Sequence, residues 1–154
     1  AASYARWWGG TNPVRARKLI ESLGEEVALI DLEGEPAYLL AADVAAAKAA
    51  EPPRSVCLLP AFDQYVVVAS HHTERFMPGP HRPRVFRPQG WLSPVVVVDG
   101  RIDGTWKHER KGARLLVQVD PFVPLSAANR RGVEAEAERL AAFLGGRLEV
   151  SWKS

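Results

Sequence analysis

The stretch from Gly90 to Trp106 constrains this chain more than any other. A β-rich run, Val95 to Val98, meets Asp99-Gly100, and a second β-rich run, Ile102 to Trp106, follows. Asp-Gly between two such runs predicts a tight hairpin, because both central positions of the turn take positive φ. The second strand runs on into Lys107-His108-Glu109-Arg110-Lys111-Gly112-Ala113-Arg114. That order predicts a cationic tip mounted on a stiff β scaffold.

Upstream the pattern is helical. Tyr4 to Trp8 reads as a short helix stopped by Gly9-Gly10. Asn12 can cap a second helix, and Pro13 suits its first turn, where a missing N–H costs nothing. That helix runs to about Leu23, with Ala16, Leu19, Ile20 and Leu23 on one face. Val27 to Leu32 and Pro36 to Leu40 flank Glu33-Gly34 as a hairpin, and Ala42 to Ala50 forms a short alanine-rich helix. Helix, turn, helix, hairpin is the order of the C-terminal half of a winged helix, with Arg15 and Lys18 on the helix that would read DNA. The hairpin tip is acidic (Glu33, Glu35), which counts against close phosphate contact.

Pro52-Pro53 marks a junction between residues 1–51 and 52–154. Beyond it Val56 to Leu59, Tyr65 to Ala69, Arg84 to Arg87, Val95 to Val98, Ile102 to Lys107 and Arg114 to Val119 read as strands. Their spacing suggests a small, partly closed, mostly antiparallel barrel. Ser126 caps one long helix to about Leu144, with Val133, Ala137, Leu140, Ala141 and Leu144 inward, and Arg130, Glu134 and Glu138 as charge pairs on its wet face. Gly132 weakens its first turns. Arg147 to Trp152 is a last strand. The expected class is α+β: the C-terminal half of a winged helix followed by a small β-barrel with one long helix.

A chain of 154 residues with 47% hydrophobic residues can bury a core. The net charge is only +2, so attraction to polyanions must come from local clustering. A lone cysteine, Cys57, permits no internal disulfide and no thiolate metal cluster; it reads as a buried small hydrophobe in a cytoplasmic protein. No apolar run reaches membrane-spanning length. The first residue is Ala1 and the opening reads like the inside of a helix, which suggests a fragment of a longer protein.

Several segments together resemble one family: Tyr4-Ala5-Arg6-Trp7-Trp8-Gly9, Leu58-Leu59-Pro60-Ala61-Phe62-Asp63-Gln64-Tyr65, Gly90-Trp91-Leu92-Ser93-Pro94, Val98-Asp99-Gly100-Arg101 and Gly104-Thr105-Trp106. The chain is similar to the C-terminal part of the tandem winged-helix proteins that include bacterial DNA glycosylases acting on alkylated purines and interstrand crosslinks. The resemblance implies winged helices followed by a small barrel, curved around a DNA-sized channel, with the N-terminal winged helices missing from this chain. The family's catalytic signature, glutamine, an apolar residue, then glutamine or aspartate, lies near the N-terminus. Gln118-Val119-Asp120 fits those letters, and residues two apart on a strand share a face. It sits at a strand end before Pro121, away from the motif's place, so it is read as coincidence and the catalytic residues stay unknown.

The strongest candidates for DNA contact are Lys107, His108, Arg110, Lys111 and Arg114 on the hairpin, where each phosphate neutralised would steepen the salt dependence. A solvated, edge-protecting turn would carry the same charges. Residues 75–87 form a second basic stretch without an acidic residue, contributing Arg82, Arg84 and Arg87; its prolines make it a stiff, extended loop. His71-His72 is no metal site, since adjacent strand side chains point apart. Asp63 after a bend satisfies backbone N–H groups. Trp7, Trp8, Trp91, Trp106 and Trp152 could stack on bases, although strand aromatics mostly serve the core.

These features describe a fragment that binds double-stranded DNA, catalyses nothing by itself and needs no cofactor, metal or membrane. The intact protein would excise damaged bases by N-glycosidic hydrolysis. The alternatives are a structural or protein-interaction domain and a winged-helix transcriptional regulator.

Overall fold

A computed structural model describes residues 12–69 and 73–153. The expected helix at Tyr4 to Trp8 and the His71-His72 pair lie outside the described residues. The chain divides into two compact units, Ala1–Glu51 and Pro52–Ser154.

In the first unit, helix α1 (Pro13–Ser22) starts as its sequence dictates. The Asn12 side-chain oxygen accepts the Arg15 backbone N–H at 2.8 Å, filling one of the orphan donors of the first turn. Ala16 is buried, but Leu19 and Leu23 remain 47% and 38% exposed. A 3-10 turn leads into strands β1 (Val27–Leu32) and β2 (Glu35–Leu40), paired antiparallel. Glu33 and Gly34 form the turn with φ of 55° and 86°, and the Asp31 carboxylate accepts the Gly34 N–H at 2.9 Å. A 3-10 turn and helix α2 (Val44–Ala49) follow, where the sequence suggested one continuous helix.

The second unit is built on a five-stranded sheet in the order β3 (Val56–Leu59), β4 (Val95–Val98), β5 (Arg101–Lys111), β6 (Arg114–Pro121), β7 (Arg147–Trp152). The first four strands are antiparallel neighbours, and β7 lies parallel to β6. The Asp99-Gly100 turn between β4 and β5 has φ of 49° and 78°, as the sequence requires. Val97 faces Ile102 while Val96 faces Gly104, so β5 carries one extra residue. This bulge re-aims the strand. Ile102 joins Val95 and Val97 on one face, and Trp106 joins Val96 and Val98 on the other.

Each face has its own cover. Helix α6 (Ala127–Leu144), capped by Ser126 Oγ accepting the Asn129 N–H, packs Val133, Ala137 and Ala141 on the Trp106 face. Over the Ile102 face lie α3 (Gln64–Ala69), α4 (Thr73–Phe76) and α5 (Arg82–Val85), contributing Val66, Phe76 and Val85, with Met77 just after α4.

Among the described residues the expected barrel is not formed: the sheet is open, with β3 and β7 as its edges. The crossover through α6 adds β7 parallel to β6, and α6 fills the face that a barrel would turn inward. On the β3 edge, the Glu136 carboxylate accepts the Leu58 N–H at 3.3 Å, answering one unpaired donor.

One expected strand is a helix and another is replaced in its first half by a helical turn. At Tyr65 to Ala69, a short apolar run has no period that separates a strand from a buried helix, and Asp63 decides the matter. Its carboxylate accepts the Tyr65 N–H at 2.8 Å and its carbonyl accepts the Val67 N–H at 3.0 Å. At Arg84 to Arg87, Pro83 cannot donate to a ladder but suits a first helical turn; the strand character left is a single bridge, Phe86 to Leu92. The basic run 107–114 is also mostly strand, with the turn confined to Gly112 and Ala113. On α6, Arg130 lies over the Trp152 ring at 4.7 Å rather than in a charge ladder, and Arg139 pairs with Glu136. Among the described residues no helix is long and apolar enough to cross a membrane.

Candidate nucleic-acid interface

On the sheet face opposite α6, a cleft of about 360 Å³ opens between α5 and strands β5 and β6. Strand pairing builds one wall: Thr105 stands opposite Asp120, and Lys107 opposite Gln118. The segment around α5 supplies Arg84 and Arg87, and Lys153 enters just past β7. The Lys153 N–H to Val119 carbonyl bond, 2.8 Å, carries the β6–β7 pairing one residue further and places that lysine.

Charge in the cleft is organised around Asp120. Arg84 Nη2 lies 2.7 Å from Asp120 Oδ1, and Lys153 Nζ lies 3.2 Å from Oδ2. Burial alone would push the Asp120 carboxyl up, but the hydrogen bonds from Arg84 and Lys153 outweigh it and hold the group below the usual carboxylate range. Arg84 is stacked as well, its guanidinium 4.4 Å from the centre of the Phe122 ring. Arg87 and Lys107 line the same cleft, and among the described residues neither side chain makes an ion pair. A rigid wall with two uncommitted cations is suited to an anionic, phosphate-bearing ligand.

The other expected contacts are scattered. His108 points to the α6 face and stacks on Trp106, ring centres 5.6 Å apart. Arg110, on that same face, donates to the Leu144 carbonyl at 3.0 Å and the Gly112 carbonyl at 3.3 Å, so it caps the end of α6. Lys111 pairs with Glu109 at 3.3 Å and Arg114 with Glu149 at 3.8 Å, all exposed near the β5–β6 turn. Arg82 lies over the Phe86 ring. Arg15 and Lys18 are exposed on α1 in the other unit. The basic hairpin is therefore not one patch, because strand alternation sends its side chains to opposite faces.

Sequence reasoning missed Lys153 and the part Asp120 plays. The period-2 alternation of the last strand carries the signal for Lys153, on one face with Glu149 and Ser151. Gln118 and Asp120 do share the cleft wall, but Asp120 is an ion-pair anchor with a depressed pKa, ill suited to accept a proton near neutral pH. A larger, shallower concavity of about 580 Å³ lies between β3 and the first turns of α6. Its lining pairs Arg139 with Glu136 and Asp99 with the Ser55 N–H, and Arg54 at its wall makes no ion pair among the described residues. Among the described residues no group of three or more metal-ligating side chains gathers.

Comparison with known proteins then decides the family. Residues 1–143 match the model of the family described as "DNA glycosylase AlkZ-like". The chain belongs to the AlkZ-like DNA glycosylase family. It is 33% identical over 145 residues to the interstrand DNA cross-link repair glycosylase of Streptomyces sahachiroi, a match covering 93% of this chain and 38% of that protein. The solved structure of Streptomyces sahachiroi DNA glycosylase AlkZ superposes with a TM-score of 0.82, covering 99% of this chain and 41% of the other. The chain thus spans about two fifths of the length of the relatives it matches.

Proposed function

We propose that this chain is a DNA-engaging C-terminal part of a DNA-repair glycosylase, gripping the duplex backbone through the cleft around Arg87 and Lys107. The observation that carries the reading is the pair of uncommitted cations on a strand wall where the one carboxylate, Asp120, is already held by Arg84 and Lys153. Lys111 and Arg114, at the β5–β6 turn, extend the positive surface. Their weak, exposed pairings with Glu109 and Glu149 can open to a phosphate at little cost. Base excision by N-glycosidic hydrolysis is the activity of the intact protein; Gln118 and Asp120 have no catalytic part in it. In the first unit, α1 followed by the β1–β2 hairpin is the end of a winged helix, with Arg15 and Lys18 facing DNA.

A second reading, a protein-interaction domain, draws on the exposed acidic turn at Glu33 and Glu35. The two readings separate in a fluorescence-anisotropy titration of the chain with a short duplex at increasing salt. Binding that weakens steeply with salt supports DNA engagement. No binding at low salt leaves the interaction domain.

A further inference from the structure

Phe62 and Trp91 stand together at the surface of the second unit, 46% and 56% exposed. Their rings meet edge to face with centres 5.0 Å apart. Large aromatics ordinarily bury their area; here two pack edge to face and stay half in water. The backbone beneath them is unusual too. Phe62 has φ of 60°, and Gln89, two residues before Trp91, has φ of 59°. Left-handed conformations at residues other than glycine are costly and persist where the surroundings hold them, often at ligand sites.

Both loops are anchored by hydrogen bonds within the second unit. The Trp91 carbonyl accepts the Arg87 N–H at 2.8 Å, tying the Trp91 backbone to that of a residue lining the cleft. Trp106, whose ring packs on the α6 face, donates from Nε1 to the Leu59 carbonyl at 2.8 Å. That bond pins the loop that reaches Phe62 three residues later, within about 11 Å by chain length. On the far side of Phe62, Asp63 locks the chain into α3 through the Tyr65 N–H. The ring pair is thus joined through the Trp91 backbone to Arg87, which lines the cleft together with Lys107.

We infer that Phe62 and Trp91 form a stacking platform for an unpaired nucleobase whose own strand lays its phosphate on Arg87 and Lys107. A planar π-face and an adjacent negative charge are what such a pair of subsites selects, and base–aromatic stacking is tolerant of base identity. The platform rests on the DNA-engaging reading above and adds to it a preference for bases out of the duplex stack.

The test compares a short oligothymidylate with a sugar–phosphate strand of equal length lacking bases, and with a duplex, by anisotropy. The base-bearing strand is expected to bind about fivefold or more tightly than the abasic strand. Trp91→Leu and Phe62→Gly should abolish that difference while leaving affinity for the abasic strand unchanged. Phe62→Gly removes the ring where glycine accepts the backbone geometry, so it keeps the fold, as circular dichroism checks. Equal affinity for the two single strands, or a difference that survives both substitutions, overturns the platform alone. Failure to bind any of the three DNAs overturns the DNA-engaging reading with it.

Discussion

Gly132 of α6 lies directly against Val56 of β3: a Cβ on Gly132 would come within 2.7 Å of Val56 Cγ2 and 2.9 Å of its Cβ. Sequence alone marks Gly132 as a weakness in the helix. The packing shows it as a point where the helix sits too close to the edge strand for a side chain. In Gly132→Ala, better helix propensity returns up to about 1 kcal/mol, but overpacking against a stiff β-branched side chain costs about 1–3 kcal/mol. The melting temperature should fall, and Val56→Ala should restore part of it in the double variant. A rise in melting temperature for Gly132→Ala alone would refute the close approach.

The Asp120 cluster sets an acid limit. With its carboxyl held low by Arg84 and Lys153, the stability it contributes is present above the ordinary aspartate range and is lost as pH falls through the depressed folded value. Asp120→Asn should show a shallower acid limb in stability against pH. It should also bind duplex more tightly, since Arg84 and Lys153 are released. Chemical denaturation across acidic pH checks the first outcome and anisotropy the second.

Asp103, the extra residue at the β5 bulge, behaves in the opposite sense. Burial raises its carboxyl above the usual range, Arg101 opposes this, Asp99 adds to it and His81 opposes it. Its contribution is therefore full below the ordinary aspartate value and lost as pH rises through the raised folded value. Asp103→Asn should raise the melting temperature at neutral pH, with the gain shrinking as acid protonates the wild-type group. Thermal melts of both proteins across this range measure it.

Arg110 is a structural cation. It donates to the last carbonyl of α6, where a positive charge also meets the negative end of the helix dipole. Arg110→Ala should cost about 0.3–1 kcal/mol and leave the salt dependence of DNA binding unchanged, as paired denaturation and binding curves will show.

What could be read from sequence follows the range of the physics involved. The Asp99-Gly100 turn, the Asn12 and Ser126 caps and the Asp63 bend depend on a few neighbouring residues, and each is found as its residues suggest. Tyr65 to Ala69 is misread because its apolar run is aperiodic and one side-chain bond settles its form. The barrel is misread because closure depends on where β7 lands, and that is fixed by α6 crossing the sheet. Arg84, Arg87 and Lys107 are visible as basic residues, but their neighbourhood is not. Only the register that sets Thr105 against Asp120 and Lys107 against Gln118 shows which cations meet a carboxylate and which stay free.

The most direct measurement is a salt series of duplex-binding anisotropy on the wild-type chain, the Arg87→Gln/Lys107→Gln double variant and Arg110→Gln. If the cleft grips the backbone, the wild type binds with a steep log–log salt dependence. The double variant then loses affinity and about 2 units of slope, while Arg110→Gln keeps the slope. A double variant that binds with wild-type affinity and slope, or a wild type that fails to bind at low salt, would contradict the account.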